Sequence, residues 1–399
     1  MSSFADLGIS KPVVDALAKR GIAKPFPVQE MVVRDALAGH DLLVQSPTGS
    51  GKTLAFGIPL VDRVEPGARH LAALALAPTR ELASQIADEL EAIGEARGLR
   101  IAAVYGGVGF GPQITAARRA DIVVATPGRL EDLLERGVIA LDRVEVLVLD
   151  EADRMLDMGF KPAVSRIVAK TPASRQTLFL SATLEGATGK LAAAYTRDAR
   201  RHTNQAAERS KADIEHRFVH VESQSAKFDQ LAGGLRESDE RTLVFVRTKR
   251  GADRLVKRLR SRELEAAAMH GDKSQGQRER ALARFERGDI LTLVATDVAA
   301  RGIDVSDIAH VINFDAPGDR DAYVHRIGRT GRAGQRGTGT SFVLTEQAAD
   351  MRKISTDLGL SGEFDRSLGH VAPQRPAGPA PGSPGKKRRR RRRRSRAAA

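Results

Sequence analysis

The chain has 399 residues, of which 41% are hydrophobic, and a formal net charge of +14 at neutral pH. This length has room for two α/β domains, each with its own core. Cysteine is absent, which excludes disulfides, cysteine nucleophiles and cysteine-ligated metal sites.

The sequence shows no sign of a membrane or secreted protein. It has no apolar run long enough to cross a bilayer, and its first residues lack a basic region followed by an apolar segment. We therefore expect a cytoplasmic protein with no membrane contact.

Most of the net charge lies near the C-terminus. Residues 386–396 include two lysines and eight arginines, a charge of +10, which leaves about +4 for the rest of the chain. They follow a Pro/Gly-rich stretch at 373–385 that cannot form a core. We expect residues 366–399 to be disordered and the basic end to attract polyanions without sequence preference, the alternative being a merely solvating run.

The rest of the chain alternates twice between strand-like and helix-like segments, which is typical of parallel-sheet α/β domains. A polar stretch at 200–212 separates the halves. We predict a first domain over 1–205, a linker over 206–212 and a second domain over 213–365. The predicted strands are 42–45, 72–77, 122–125, 146–149 and 177–180 in the first domain, and 242–246, 291–295, 310–313 and 340–344 in the second.

Three carboxylates follow an apolar run at 144–149, in the sequence Asp150-Glu151-Ala152-Asp153. Open α/β sheets bind ligands at the carboxyl ends of their strands, which is where this cluster is expected. Clustered carboxylates need a cation or hydrogen-bond donors, and Mg²⁺ binds one or two carboxylates together with phosphate oxygens. Taken alone, the tetrapeptide could also be an acidic helix start.

The segment 46–53 follows another strand-like run and resembles a phosphate-binding P-loop, with Ser46 in the place of the usual first glycine. Its glycines allow backbone N–H groups to surround phosphates. Lys52 would reach the β and γ phosphates, and Thr53 would offer its hydroxyl to Mg²⁺. Together with the carboxylates, this predicts a nucleotide site in the first domain.

The second half has no P-loop, but it contains a glycine-flanked run of cations at 325–332 that includes Arg329 and Arg332. The planar arginine fork suits phosphate. A nucleotide held by the first domain could receive these groups from the second, as an arginine finger within one chain. A solvated basic loop is the alternative.

These motifs, in this order, resemble those of the DEAD-box ATP-dependent RNA helicases of superfamily 2. The short basic tail is similar to that of the compact bacterial RhlE group. The resemblance covers about residues 1–345 and implies an α/β fold with two tandem RecA-like domains. It also implies RNA-stimulated hydrolysis of ATP to ADP and phosphate, coupled to domain closure and to local, non-processive unwinding or remodelling of RNA duplexes.

The resemblance implies a role for each motif in catalysis. Lys52 would hold phosphates, Asp150 would hold Mg²⁺ partly through water, Glu151 would activate the attacking water, and Arg329 and Arg332 would approach the γ-phosphate. The residues that would couple the nucleotide state to RNA binding are Asp153, Ser181, Thr183, His325 and Arg326.

Residues 21–29, with Phe4 upstream, resemble the Q motif of the family. A glutamine amide can donate and accept at once, as adenine requires, and an aromatic ring can stack on the base. For Phe4 alone, core packing is the alternative, and Phe26 stands where the family usually has threonine or serine. The expected ATP-binding residues are Phe4, Gln29, Ser46, Thr48, Gly49, Ser50, Gly51, Lys52, Thr53 and Asp304.

Other motifs resemble the family's RNA-contacting segments, which bind the RNA backbone with little sequence preference. Hydroxyls, arginines, glycine N–H groups and helix N-termini suit phosphate contacts, although Thr79 and Thr126 could equally be helix caps. The expected RNA-binding residues are Thr79, Arg80, Gly106, Gly107, Thr126, Arg129, Arg247, Arg278 and Thr296.

The expected partners are therefore ATP, Mg²⁺ and RNA, for which the basic end of the chain would add affinity. Ribosomal or RNA-decay proteins are further candidates. An ATP-gated RNA clamp is one alternative function, although a clamp needs no turnover machinery. A DNA helicase of the wider superfamily is another.

Overall fold

The computed structural model describes residues 3–46, 50–68, 70–204, 214–300, 305, 307–331 and 335–368. Within these residues the chain forms two parallel β-sheets with helices packed against them. This confirms the predicted α/β class and its two tandem domains.

The first domain is built on a seven-stranded parallel sheet. Its strands are β1 (Leu42–Gln45), β2 (Ala73–Leu76), β3 (Ile101–Val104), β4 (Ile122–Ala125), β5 (Val146–Leu149), β6 (Gln176–Ser181) and β7 (Arg200–Thr203). Their order across the sheet is β3-β4-β2-β5-β6-β1-β7, so β5 lies at the centre between β2 and β6.

The second domain is built on a six-stranded parallel sheet. Its strands are β8 (Ile214–Val221), β9 (Thr242–Phe245), β10 (Ala266–Met269), β11 (Thr292–Ala295), β12 (His310–Asn313) and β13 (Gly337–Leu344). Their order is β10-β11-β9-β12-β13-β8. Two apolar clusters form the core of each domain, and strands β2, β4, β5, β9 and β11 are buried along their whole length.

The helices of the first domain are α1 (Lys11–Lys19), α2 (Pro27–Leu37), α3 (Lys52–Arg63), α4 (Arg80–Gly94), α5 (Phe110–Ala117), α6 (Pro127–Glu135), α7 (Ala152–Asp157), α8 (Lys161–Val168) and α9 (Gly186–Tyr195). Those of the second are α10 (Gln224–Arg236), α11 (Lys249–Arg260), α12 (Gln275–Glu286), α13 (Asp297–Ala300), α14 (Arg320–Ile327), α15 (Ala348–Asp357) and α16 (Ser361–Leu368). Short 3₁₀ turns lie at Ala5–Leu7, Glu95–Arg97 and Thr345–Gln347.

The nine predicted strands are all present, with ends that shift by at most three residues. The four strands that the sequence pattern missed, β3, β7, β8 and β10, are the edge strands of the two sheets. Two of them are rich in alanine, and two are polar or alternating, so none reads as a continuous apolar run.

The structure moves the end predicted for the second domain, whereas the end predicted for the first domain, 205, comes directly after the last residues described there. The polar stretch at 200–212 was expected to separate the domains, but its first residues form β7, which pairs with β1. The linker proper, 206–212, lies outside the described residues. The final helix, α16, includes Arg366 and so continues past the boundary expected at 366.

In the part of the chain that is described, no helix is both long and apolar enough to span a bilayer. The predicted disorder of the tail concerns residues that, from 369 onward, lie outside the described ranges.

We predict that His310 makes the second domain sensitive to acid. Burial and the nearby Arg217 charge lower the pKa of His310 to about 4, although Glu215 opposes them. Its ring pairs with the Thr340 hydroxyl on the neighbouring strand, at 2.8 Å. An unfolded histidine has a pKa of about 6.5. The stabilisation that the buried neutral ring gives the folded domain is therefore complete above that pH and is lost as the pH falls towards 4.

The change to test is His310→Gln. Urea denaturation at about pH 7.5 and pH 5 should show the variant losing roughly 1–3 kcal/mol less stability on acidification than the wild type. An equal loss in both proteins would contradict the assignment.

Candidate functional site

The candidate site lies at the carboxyl ends of the strands of the first sheet. Parallel strands bring these ends to one edge, so segments distant in sequence meet there. Ser46 follows β1, Asp150 follows β5, and Ser181 ends β6. The register of β1 against β6 pairs Gln45 with Ser181, and the Ser46 N–H donates to the Ser181 carbonyl at 3.0 Å.

Lys52 is held at the start of α3 behind the glycine turn. Gly51 has a φ of 87°, a conformation that glycine adopts at little cost, and it precedes the first residue of the helix. The buried Lys52 ammonium donates to the Ser46 carbonyl at 2.7 Å, and the hydroxyls of Ser46 and Ser50 lie 2.7 Å apart. The predicted phosphate-loop residues Thr48 and Gly49 lie outside the described residues.

The carboxylates of Asp150 and Glu151 are both buried. Glu151 begins α7 with φ 49° and ψ 49°, a left-handed conformation that is uncommon for a residue with a side chain. Its N–H donates to Asp150 Oδ1 at 3.0 Å. Burial raises the pKa of Asp150 to about 6, against the opposing effect of the Lys52 ammonium.

The Glu151 carboxylate has cationic neighbours from both domains. Arg154 donates to Glu151 Oε2 at 2.8 Å from within α7. Burial alone would raise the pKa of Glu151, but Arg154, Arg329 and Lys52 outweigh it and hold that pKa below its usual range. Since Arg329 belongs to the second domain, this electrostatic site is shared between the domains.

The carboxylates suit a divalent ion that also binds phosphate. No group of three or more acidic or histidine side chains that could hold a metal by itself occurs among the described residues. The site instead offers the buried carboxylate of Asp150, close to the Lys52 ammonium. A metal ion held there would need further oxygen ligands from a bound phosphate and from water. This donor set fits Mg²⁺, which keeps waters and combines few protein carboxylates with phosphate.

Asp153 connects two motifs of the first domain. Its Oδ2 accepts from the Ala182 N–H at 3.0 Å and from the Thr183 N–H at 3.3 Å. The Ser181 hydroxyl also accepts from the Thr183 N–H at 3.3 Å. The end of β6 is thus tied to the start of α7.

His325 lies close to this junction, whereas Arg326 does not reach it. Burial and the charge of Arg154 lower the pKa of His325, which puts His325 near α7. Arg326 was expected to connect to the same loop, but it instead turns into its own domain. It binds Asp297 at 2.5 and 2.7 Å, the Asn313 side chain at 3.1 Å and the Asp315 carbonyl at 2.6 Å.

The Q-motif residues differ in what they contact. Gln29 is buried, accepts from the Phe26 N–H at 2.9 Å and donates to the Gly51 carbonyl at 3.1 Å. Phe4 is only 2% exposed and packs within the core of the first domain. The expectation that Phe4 stacks on a base is therefore corrected, because a buried ring has no open face.

Most expected RNA-contacting residues of the first domain lie at the ends of β2, β3 and β4. Thr79 caps α4 by accepting from the Leu82 N–H at 3.2 Å, and Thr126 begins α6 without such a bond. The Arg80 side chain lies against the loop of Gly106 and Gly107, where a β-carbon on Gly107 would overlap a guanidinium nitrogen of Arg80. Gly107 also has a φ of 85°, a backbone conformation that favours glycine.

Arg129 is buried rather than open to a ligand. Its guanidinium donates to the Val108 carbonyl at 3.2 Å and to Gln113 at 3.0 Å, and it lies 4.0 Å from the centre of the Phe110 ring. Burial lowers the pKa of Arg129. The side chain therefore supports the loop beside it instead of projecting from it.

In the second domain, the expected RNA-binding residues differ in how exposed their side chains are. Arg247 is exposed and Thr296 is buried. Arg278 differs from its prediction, because it forms a buried 2.9 Å ion pair with Glu81 of the first domain. Gln275 also donates to Glu81, at 3.4 Å.

Two residues of the site were not singled out from the sequence. Arg154 stands three residues after Glu151, a spacing that brings helical side chains together, so its pairing could have been expected. Glu81 directly follows Thr79 and Arg80, which were expected to bind RNA, but nothing in the sequence identifies its partner in the other domain. Asp304 and Arg332, both predicted site residues, lie outside the described residues.

Family models match both domains. The DEAD/DEAH box helicase model matches residues 26–191, and the helicase conserved C-terminal domain model matches residues 225–334.

Similar proteins have the same organisation. The chain is 40% identical over 354 residues to the DEAD-box ATP-dependent RNA helicase CshA of Bacillus subtilis, covering 88% of this chain and 72% of that protein. Its structure is similar to that of S. cerevisiae Dbp5 bound to RNA and ADP BeF3, with a TM-score of 0.82, 29% identity, and coverage of 93% of this chain and 99% of that one. For the DEAD-box helicase Mss116 bound to ssRNA and UDP-BeF, the TM-score is 0.79 with 27% identity, covering 89% and 78% of the two chains. The chain therefore belongs to the family of DEAD-box ATP-dependent RNA helicases.

Proposed function

We propose that this protein is an RNA-stimulated ATPase whose two domains close around ATP and RNA and locally separate short RNA duplexes. The observation that supports this most directly is that cations from both domains lie around the Glu151 carboxylate. Because Arg329 of the second domain helps to lower the pKa of Glu151, this carboxylate is most strongly held in its ionised form when the two domains are together.

In this proposal, each residue around the γ-phosphate has one role. Lys52 leaves the Ser46 carbonyl and binds the phosphates, and Glu151 orients the attacking water and accepts its proton. Arg329 stabilises the charge that develops on the transferred group. Asp150 and the Thr53 hydroxyl would hold Mg²⁺, which neutralises phosphate charge when bound.

RNA would bind along the same edge of both sheets. The loop of Gly106 and Gly107, the start of α4 and the exposed Arg247 offer N–H groups and a cation suited to phosphate oxygens. Because contacts of this kind do not read bases, we propose little sequence preference. ATP and RNA would each favour the closed state, so their binding must be reciprocally coupled.

The narrower assignments rest on the sequence. We propose that the protein acts in the cytoplasm, is related to the RhlE group, and works with ribosomal or RNA-decay proteins. The expected roles of Thr48, Gly49, Asp304 and Arg332 in ATP binding and catalysis remain part of the proposal.

Glu151→Gln should keep ATP and RNA binding but lower turnover by at least about 100-fold, because the amide cannot accept the proton of the attacking water. ATPase should be measured with RNA, with DNA of the same sequence and without nucleic acid. Glu145→Gln, at the exposed opposite end of the same strand, is the control and should be silent. Near-normal ATPase in Glu151→Gln, or equal stimulation by DNA, would contradict the proposal.

Glu81→Gln should weaken domain closure. In the closed state the change leaves Arg278 buried without its countercharge, whereas with the domains apart both side chains can be hydrated. The affinity for ATP in the presence of RNA should fall by roughly 10-fold or more, with little change in its absence. Glu89→Gln is the control, because Glu89 lies on the same helix but pairs with Arg20 of the same domain.

The pairing itself can be tested with the double variant Glu81→Gln, Arg278→Gln. Removing both charges should cost much less than the sum of the two single changes. Additive losses would mean that the two residues act independently.

Removing residues 386–399 should weaken RNA binding and flatten its dependence on salt. Each lost phosphate contact should reduce the slope of log affinity against log salt by about 0.7. Fluorescence anisotropy with labelled single-stranded RNA over a salt series measures this, and a tail of equal length with serine in place of its lysines and arginines is the control. Identical slopes for the full chain and both variants would exclude a role for the tail in RNA binding.

A further inference from the structure

Phe26 is an unusually exposed aromatic residue. All 13 phenylalanines and 3 tyrosines of the chain are described, and among them Phe26 alone exposes half of its surface. An isolated exposed apolar side chain needs no functional explanation, so its exposure alone indicates nothing. Its surroundings, however, are those of the nucleotide site.

The backbone of Phe26 is tied to Gln29 and through it to the phosphate loop. Phe26 precedes α2 in an extended conformation, and its N–H donates to Gln29 Oε1 at 2.9 Å. The amide of the same Gln29 donates to the Gly51 carbonyl at 3.1 Å. These bonds hold Phe26, Gln29 and the turn before Lys52 in one unit.

The ring of Phe26 lies directly against Gly51. A β-carbon built on Gly51 would stand 3.5 Å from Phe26 Cγ, an ordinary contact, but 2.9 Å from Phe26 Cδ2, which is closer than side chains pack. The same β-carbon would stand 3.0 Å from Gln29 Nε2. One part of the ring therefore covers the loop glycine, while the rest is open to solvent next to the glutamine.

The aromatic residue that the sequence proposed for stacking, Phe4, is enclosed in the core. Phe26 is thus the ring with a free surface beside Gln29. The side chain of phenylalanine has no hydrogen-bond donor or acceptor, so Phe26 can contribute to ligand binding only through its apolar ring.

We propose that Phe26 stacks on the nucleobase and sets the affinity for it, an inference that rests on the proposed ATPase function. The two neighbours have different roles, because Gln29 distinguishes adenine by hydrogen bonds, whereas Phe26 binds any purine through its π face. Phe26 therefore controls how tightly ATP binds, and Gln29 controls which base is preferred.

The first experiment uses the absence of tryptophan from the chain. Phe26→Trp introduces one indole, whose fluorescence should be quenched by ATP and by GTP but not by tripolyphosphate, which has no base. Arg119→Trp, at the exposed far end of the first domain, is the control and should not respond. An indole at 26 that responds to tripolyphosphate as strongly as to ATP, or to neither, would overturn the proposal.

The second experiment measures affinity directly, by displacement of a fluorescent ribose-labelled ATP. Phe26→Leu should weaken ATP and GTP alike by about 10-fold, and Phe26→Tyr should restore near-normal binding, since only the latter retains an aromatic face. Gln29→Ala should instead reduce the preference for ATP over GTP. If Phe26→Leu binds as the wild type does, or if Phe26→Tyr is as weak as Phe26→Leu, the ring does not stack.

The proposed ATPase function and the role of Phe26 can fail separately. A wild-type chain that does not bind labelled ATP would overturn the ATPase function and this inference together. Normal binding in the wild type, lost in Lys52→Ala but unaffected in Phe26→Leu, would keep the ATPase function and remove only the role given to Phe26.

Discussion

The arrangement of this molecule depends on keeping two adjacent carboxylates out of water. Asp150 and Glu151 are both buried at the end of the central strand of the first sheet, where their charges repel and lack hydration. Lys52 and Arg154 offset this within the first domain, and Arg329 does so from the second. Since part of the compensation comes from the other domain, the electrostatics of the site and the placement of the domains cannot be separated.

The sequence was most informative where strands are buried on both faces. Strands such as β2, β4 and β5 are continuous apolar runs because helices cover both sides, and they were located almost to the residue. All the missed strands lie at sheet edges, where partial exposure allows alanine or polar residues. Strand β7, with the sequence Arg-Arg-His-Thr, therefore looks like a linker until its pairing with β1 is seen.

The site was predictable where the residues of short motifs contact each other. Examples are the bond of Lys52 to Ser46 and the bond of Asp153 to the end of β6. It was not predictable where a side chain could take either of two partners. Arg278 could face RNA or Glu81, and Phe4 could face a base or the core. Spacing along the chain fixes neither choice, because the outcome depends on how distant elements pack.

The position of Arg326 affects how genetic changes in the arginine-rich segment should be read. Its guanidinium joins the ends of β9 and β12 to α13 and α14, and its centre lies 5.1 Å from the Phe245 ring. Replacing it would leave the buried Asn313 oxygen and the partly buried Asp297 carboxylate without this donor, all within a single domain. A loss of function at Arg326 would therefore reflect a shortage of correctly folded protein, whereas a change at Arg329 would also alter the charge around Glu151 in the other domain.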